Sequence, residues 1–175
     1  MEKPACDIRA FIRDVPDFPK KGVIFKDITP LLADPAAFAS TIDRMAEPFL
    51  GKGIAIVAGI ESRGFLLATP IAYRLGAGVV PIRKKGKLPR RTLSATYDLE
   101  YGQDTIEAHA DAFAPGTRVL LVDDVLATGG TARAACELLE KLGGRLEGVT
   151  FLIELGFLGG RGKLAERKVI SLVSY

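Results

Sequence analysis

Ile8, Phe11, Ile12 and Val15 stand three or four positions apart, a spacing that puts them on one helical face and predicts a helix over residues 5–14. Prolines at 16, 19 and 30 break the pattern. It resumes at Asp34-Pro35, a capping residue followed by a first-turn proline, and Phe38, Ile42, Met45 and Phe49 carry an apolar face to about residue 50. At 54–58 the period changes. This unbroken apolar run reads as a strand buried on both faces, followed by a turn containing Gly59 and Gly64, a helix to Leu75 that Gly76 ends, and a strand over 79–82. The same order of strand, helix and strand returns at 118–122, 131–142 and 149–153. Such alternation predicts an α/β fold with an open parallel sheet flanked by helices. Between the two units, residues 93–99 and 104–110 alternate like strands around Tyr101-Gly102, which predicts an antiparallel hairpin outside the parallel sheet, able to fold over a site.

No linker, repeat or low-complexity run divides the 175 residues, so one domain over 1–175 is expected. With 48% hydrophobic and 26% charged residues, the chain is neither disordered nor fibrous. Glu61 and Arg63 interrupt its most apolar region, leaving no run near the roughly 18 residues of a membrane span. The charged start of the chain, with Glu2, Lys3, Asp7 and Arg9, lacks the apolar stretch of a secretory signal. A cytoplasmic location and no membrane partner are therefore expected. Cys6 and Cys136 lie far apart without metal-ligand neighbours and read as free, partly buried thiols. His109 is the only histidine, which excludes a His-rich zinc site. The net charge of +3 is mild, but Arg83, Lys84, Lys85, Lys87, Arg90 and Arg91 crowd into one short stretch and imply an anionic partner there.

Candidate chemistry concentrates between Val119 and Thr131, where a buried strand ends in Asp123-Asp124 and passes through Gly129-Gly130 into a helix. The glycines permit positive φ and close backbone approach, while the unpaired amides of a helix start favour a phosphate. Thr128 and Thr131 add hydroxyl donors. Ligands of open α/β sheets sit beyond the carboxyl ends of the strands, where the two aspartates would meet the hydroxyls of a sugar attached to that phosphate. The same residues, taken alone, could simply start a helix after an ordinary turn. Neither a P-loop nor a Gly-x-Gly-x-x-Gly fingerprint links a strand to a helix anywhere in the chain.

The whole string Val119-Leu120-Leu121-Val122-Asp123-Asp124-Val125-Leu126-Ala127-Thr128-Gly129-Gly130-Thr131 resembles the phosphoribosyl pyrophosphate motif of the type I phosphoribosyltransferases. Other segments narrow the resemblance to the adenine-using branch of that family. They are Pro16-Asp17-Phe18-Pro19, residues 22–32 around Ile24-Phe25-Lys26-Asp27, Gly59-Ile60-Glu61-Ser62-Arg63-Gly64-Phe65, Arg83 to Pro89, Tyr97-Asp98-Leu99-Glu100-Tyr101-Gly102, and Glu154-Leu155-Gly156-Phe157-Leu158 before Gly160-Arg161. The resemblance implies transfer of ribose 5-phosphate from phosphoribosyl pyrophosphate to adenine, giving AMP and pyrophosphate in purine salvage. It implies Mg²⁺ held mainly by the substrate, with no metal ligands of the protein's own, and a homodimer.

By the same resemblance Asp123, Asp124, Ala127, Thr128, Gly129, Gly130 and Thr131 bind the phosphoribosyl group. Glu61, Ser62, Arg63, Arg83 and Lys87 bind pyrophosphate, with Arg83 reaching the site across the dimer interface. Ile24, Phe25, Lys26 and Leu158 hold adenine, Phe25 and Leu158 on opposite faces of the base. Glu100, on a small flexible hairpin hood over about 83–110, is the general acid/base, and Arg63 and Asp124 complete the catalytic set. Lys26 departs from the family pattern, which has arginine there. A phosphoribosyltransferase for hypoxanthine, guanine or xanthine would share the sugar-phosphate loop and differ in the base pocket. A nucleic-acid-binding regulator fits less well, because residues 1–53 hold no helix-turn-helix with a basic reading face and the cluster at 83–91 has no stacking aromatics. No nucleic-acid partner is expected.

Overall fold

In the computed structural model, which describes residues 6–98 and 102–175, the chain begins with a short 3-10 turn, Ile8–Phe11, and an antiparallel ribbon of β1 (Arg13–Pro16) and β2 (Ile24–Asp27). The helix expected over residues 5–14 is not formed among the described residues. Asp7 caps only the short turn, accepting from the Arg9 amide at 3.1 Å, and Pro16 biases Val15 to an extended conformation in which it pairs with Phe25. Ile8 and Ile12 are nevertheless buried, so the apolar set was right and its period was not.

A short helix α1 (Thr29–Ala33) leads into α2 (Pro35–Ala46). The expected cap is present: the Asp34 carboxylate accepts from the amides of Ala36 and Ala37 at 3.0 and 2.8 Å. Next come β3 (Ile56–Ile60), α3 (Arg63–Leu75) and β4 (Gly78–Lys84). Gly59 belongs to the strand and not to the turn after it; a Cβ there would stand 2.7 Å from that of Ala68, so its absence lets α3 lie flat on β3. Gly76, with φ of +67°, ends α3 as expected.

The remaining elements are β5 (Thr92–Asp98), β6 (Gln103–His109), β7 (Arg118–Leu126), α4 (Gly130–Lys141), β8 (Arg145–Glu154) and β9 (Val169–Ser174). They complete one sheet in the order β5-β6-β4-β3-β7-β8-β9. Strands β4, β3, β7, β8 and β9 are parallel. The hairpin β5–β6 is antiparallel as expected, but it does not lie outside the sheet: Arg83 and Lys84 pair with Glu107 and Ile106, so it extends the β4 edge. Neither β9 nor the β1–β2 ribbon was expected from the sequence.

Helices cover both faces of the sheet, packing α1, α2 and α3 against one buried cluster and α4 against the other. Cys136 is fully buried in the second cluster rather than partly so, and burial pushes its thiol up to about 12. No helix among the described residues is long and apolar enough to cross a membrane. From β3 the chain winds first to β4 on one side and later to β7 on the other, which makes the gap between β3 and β7 a topological switch point. The segments after β3 and after β7 are those that carry Glu61 to Arg63 and Ala127 to Gly130.

Candidate active site

The most deeply buried part of the site is β7. Val119, Leu120, Leu121 and Val122 are wholly buried between neighbouring strands, and the strand continues through both aspartates to Leu126 instead of stopping before them. Asp124, 6% exposed, places Oδ2 2.8 Å from an Arg63 guanidinium nitrogen, an ion pair. Asp123 accepts from the Asp124 amide at 2.9 Å, and its Oδ1 lies 2.8 Å from where a Cβ on Gly64 would stand. Gly64 must therefore lack a side chain for α3 to begin against this carboxylate. Burial, and then the Asp124 charge beside it, hold the Asp123 carboxyl well above the usual range. Burial also raises Asp124, with the Arg63 cation opposing the shift.

Past β7 the chain turns at Gly129, whose φ is +77° and whose place before α4 offers no side-chain cap to the helix amides. Those amides face a cavity of about 80 Å³ lined by Asp123 and the residues from Ala127 to Thr131, an arrangement suited to a phosphate. Behind the loop lies a close approach of two backbones. A Cβ on Gly129 would stand 3.0 Å from both Cα and the carbonyl carbon of Gly160, and one on Gly160 would stand 2.8 Å from the Gly129 amide nitrogen. Gly160 entered the sequence reading only as part of a resembling segment; its service to the loop is a tertiary contact.

Across the switch point, the Glu61–Ser62 peptide is cis and Ser62 precedes α3 without capping it. The Glu61 carboxylate is buried and accepts from Arg83 Nε and Lys87 Nζ, each at 2.8 Å. Burial works against its charge, but the bonds from Lys87 and Arg83 outweigh that and keep the carboxyl below its usual value. Arg83 thus engages Glu61 of its own chain. Glu107 accepts from the Gly86 amide at 3.0 Å and steadies the turn that carries Lys87, a role that no sequence motif announced. On the hairpin, Asp104 meets Lys84 at 3.0 Å and accepts from the Tyr97 hydroxyl at 3.4 Å.

Of the residues expected to hold adenine, Ile24, Phe25 and Lys26 lie on β2. The Arg63 guanidinium carbon sits 4.7 Å from the Phe25 ring centroid, and the same guanidinium donates to the Lys26 carbonyl at 3.3 Å. Phe18 meets Phe25 edge to face at 5.1 Å. Ile24 is 56% exposed, and Leu158, at the end of a short turn Gly156–Leu158, is 41% exposed. The Lys26 ammonium points to Asp14, at 2.6 Å, and over the Tyr175 ring at 3.7 Å. Arg63 therefore joins the end of β7, through Asp124, to β2, through Phe25 and Lys26. Glu100 lies outside the described residues. The last residues of β5 before it come onto the phosphate loop, since a Cβ on Gly130 would meet the Asp98 carbonyl at 3.5 Å and the Tyr97 ring at 3.6 Å.

The family described as phosphoribosyl transferase domain matches residues 25–168. The adenine phosphoribosyltransferase of Thermobifida fusca is 58% identical over 167 residues, covering 95% of each chain. The crystal structure of adenine phosphoribosyltransferase from Thermoanaerobacter pseudethanolicus superposes with a TM-score of 0.93 at 52% identity, covering 97% of this chain and 98% of that one. The Saccharomyces cerevisiae enzyme, solved with adenine and an imino-altritol bisphosphate, gives a TM-score of 0.88 at 41% identity over 93% and 94% of the two chains. A family match over residues 25–168, together with 58% identity over 95% of the chain and a fold superposing at a TM-score of 0.93, places this chain in the phosphoribosyltransferase family, among the adenine phosphoribosyltransferases.

Proposed function

We infer that the chain transfers the 5-phosphoribosyl group of phosphoribosyl pyrophosphate to adenine, releasing AMP and pyrophosphate, and so serves purine salvage. The observation that carries this reading is the position of Arg63, which touches Asp124, the Lys26 carbonyl and the Phe25 ring together. A reaction joining a base to a sugar while an anion departs needs those three subsites side by side.

In this reading the amides of Gly129, Gly130 and Thr131, with Ala127 and the Thr128 hydroxyl, hold the 5-phosphate. Asp123 and Asp124 take the ribose hydroxyls, and Arg63, Arg83, Lys87 and the Glu61–Ser62 turn hold the pyrophosphate. Phe25 and Leu158 enclose adenine, with backbone groups at Ile24 and Lys26 addressing its edge. Adenine N9 forms its bond to C1′ as the bond from C1′ to the pyrophosphate oxygen breaks. That electron pair leaves with pyrophosphate, the N9 proton passes to Glu100, and the nearby carboxylates stabilise the positive charge at C1′. The resemblance supports the Glu100 assignment.

Mg²⁺ is proposed to arrive with phosphoribosyl pyrophosphate and to neutralise charge on the departing diphosphate. It takes oxygen ligands, keeps several waters and is commonly bound by one or two carboxylates plus substrate phosphates. In this reading the substrate's phosphates would supply most of that set, with Asp123 and Asp124 beside it rather than as its main ligands. The reading also takes the chain as one domain, supported by its continuous sheet, and as a homodimer, supported by apolar surface on α3 and β4, where Tyr73 is 90% and Val79 42% exposed. Two free cysteines accord with work in the reducing cytoplasm.

The test is a side-by-side assay of adenine, hypoxanthine and guanine with phosphoribosyl pyrophosphate and Mg²⁺, following nucleotide formation by chromatography. AMP and pyrophosphate in equal amounts, with adenine preferred by at least about 10³ in kcat/KM, are expected, because a pocket of backbone acceptors opposes a 6-carbonyl. Comparable efficiency with hypoxanthine or guanine would overturn the choice of base.

A further inference from the structure

Tyr175 lies behind the base-side residues and touches both segments that carry them. Its amide donates to the Glu154 carbonyl at 2.9 Å and its carbonyl accepts from the Gly156 amide at 2.9 Å, so the backbone of Tyr175 fixes the start of the turn that presents Leu158. A Cβ on Gly156 would stand a tight 3.3 Å from that same carbonyl, so the glycine eases the close approach of the two backbones. On the other side, the Tyr175 ring receives the Lys26 ammonium at 3.7 Å and the Arg9 guanidinium at 4.6 Å. Arg9 also donates to the Ser174 carbonyl at 2.6 Å, and Lys26 is held by Asp14 at 2.6 Å. The ring is packed against the larger core cluster and so has a fixed position from which to act.

We propose that Tyr175 is a positioning residue for adenine: its ring holds β2 through Lys26 while its backbone holds the Gly156–Leu158 turn, and together these set the gap between Phe25 and Leu158 that the base enters. The proposal rests on the reading of that gap as the adenine site. It also gives a reason for lysine at position 26. A compact ammonium can sit over the ring and still reach Asp14, turning its charge away from the base edge and leaving only the backbone of residue 26 to address adenine.

Without the aromatic face β2 loses its tie to the residue whose backbone still holds the turn, and the cost falls on base binding rather than on the sugar-phosphate side. Tyr175→Leu keeps apolar bulk and removes the face that attracts cations. It is expected to raise KM for adenine about tenfold, with kcat and KM for phosphoribosyl pyrophosphate within twofold of the parent, whereas Tyr175→Phe restores the parent KM. Lys26→Met breaks the same contact with the ring left in place and should raise KM for adenine without adding to the effect of Tyr175→Leu; it decides the matter alone if Tyr175→Leu does not fold. An unchanged adenine KM in the folded variants, or a parallel rise in KM for both substrates, overturns the positioning role. Failure of the parent protein to make AMP from adenine would instead overturn the substrate reading.

Discussion

Asp123 and Asp124 stand next to each other near the end of β7, which runs on to Leu126, and an ionised pair there costs stability. Each carboxylate loses hydration, and the Asp124 charge works against ionisation of Asp123; Arg63 pairs directly with Asp124 and offsets the cost at Asp123 only as the least of the effects on it. Asp123→Asn keeps the acceptor for the Asp124 amide and removes one charge, so it should raise the unfolding temperature at neutral pH while lowering kcat/KM by at least about tenfold. The sign follows from the proton balance. A carboxyl whose pKa is raised by folding holds its proton more tightly in the folded than in the unfolded chain, so the native state loses stability as pH climbs from the ordinary value, about 4, through the raised one. The advantage of the asparagine should therefore be absent below about pH 4, grow through that window and level off above it, which calorimetric melts across pH would show. A gain of equal size at pH 3 would contradict the account.

The sequence named both aspartates and Arg63 because a motif carries them. It did not reveal that Lys26 turns to Tyr175 or that Gly64 makes room for Asp123, because the direction of a side chain depends on neighbours brought in from elsewhere in the chain.

Elements were legible where one period ran long enough to be unmistakable: α2, α3, α4 and the buried strands of the sheet all lie within a few residues of expectation. The start of the chain misled because a proline and a distant partner, β2, override a helical spacing of only four apolar residues. Hairpin β5–β6 was visible by its alternation, but its attachment to β4 depends on pairing, which no single strand announces. The clearest consequence at this scale concerns the phosphate loop and the glycine turn behind it. In Gly160→Ala the new methyl would meet the main chain of Ala127 and Gly129 at 3.0 Å or less, and no rotamer can relieve that. Secondary structure measured by circular dichroism should persist, while affinity for phosphoribosyl pyrophosphate in titration calorimetry should fall at least about tenfold, since a misplaced amide cradle forfeits charge-assisted hydrogen bonds. Unchanged affinity would mean that the loop does not depend on the turn for its shape.

At the scale of the molecule, alternating strands and helices were enough to give the class of fold, and the rule that ligands gather beyond the carboxyl ends of strands points at the edge where Asp124 and Arg63 come together. The strand order was not readable, since β3 has neighbours from both halves of the chain. The proposed homodimer belongs to this scale as well: light scattering should return twice the 18.7 kDa of one chain, and Tyr73→Glu on the exposed face of α3 should lower that mass. A parent protein of single-chain mass would remove the proposal.

The hydrogen bond from Arg9 to the Ser174 carbonyl joins residues 165 positions apart, and the Tyr175 ring beside it meets both Arg9 and Lys26. Closing so long a loop is entropically slow to reward, so contacts of this kind form late when a chain collapses. During refolding from denaturant, the central strands can therefore assemble around β7 before β9 docks and brings Tyr175 to Lys26. A chain caught at that stage would have most of its sheet and a formed phosphate loop, yet no competence for adenine. Recovery of adenine binding should track the slowest phase of refolding, behind the return of far-ultraviolet dichroism, and the order in which the two substrates regain their sites becomes a record of how the molecule closes.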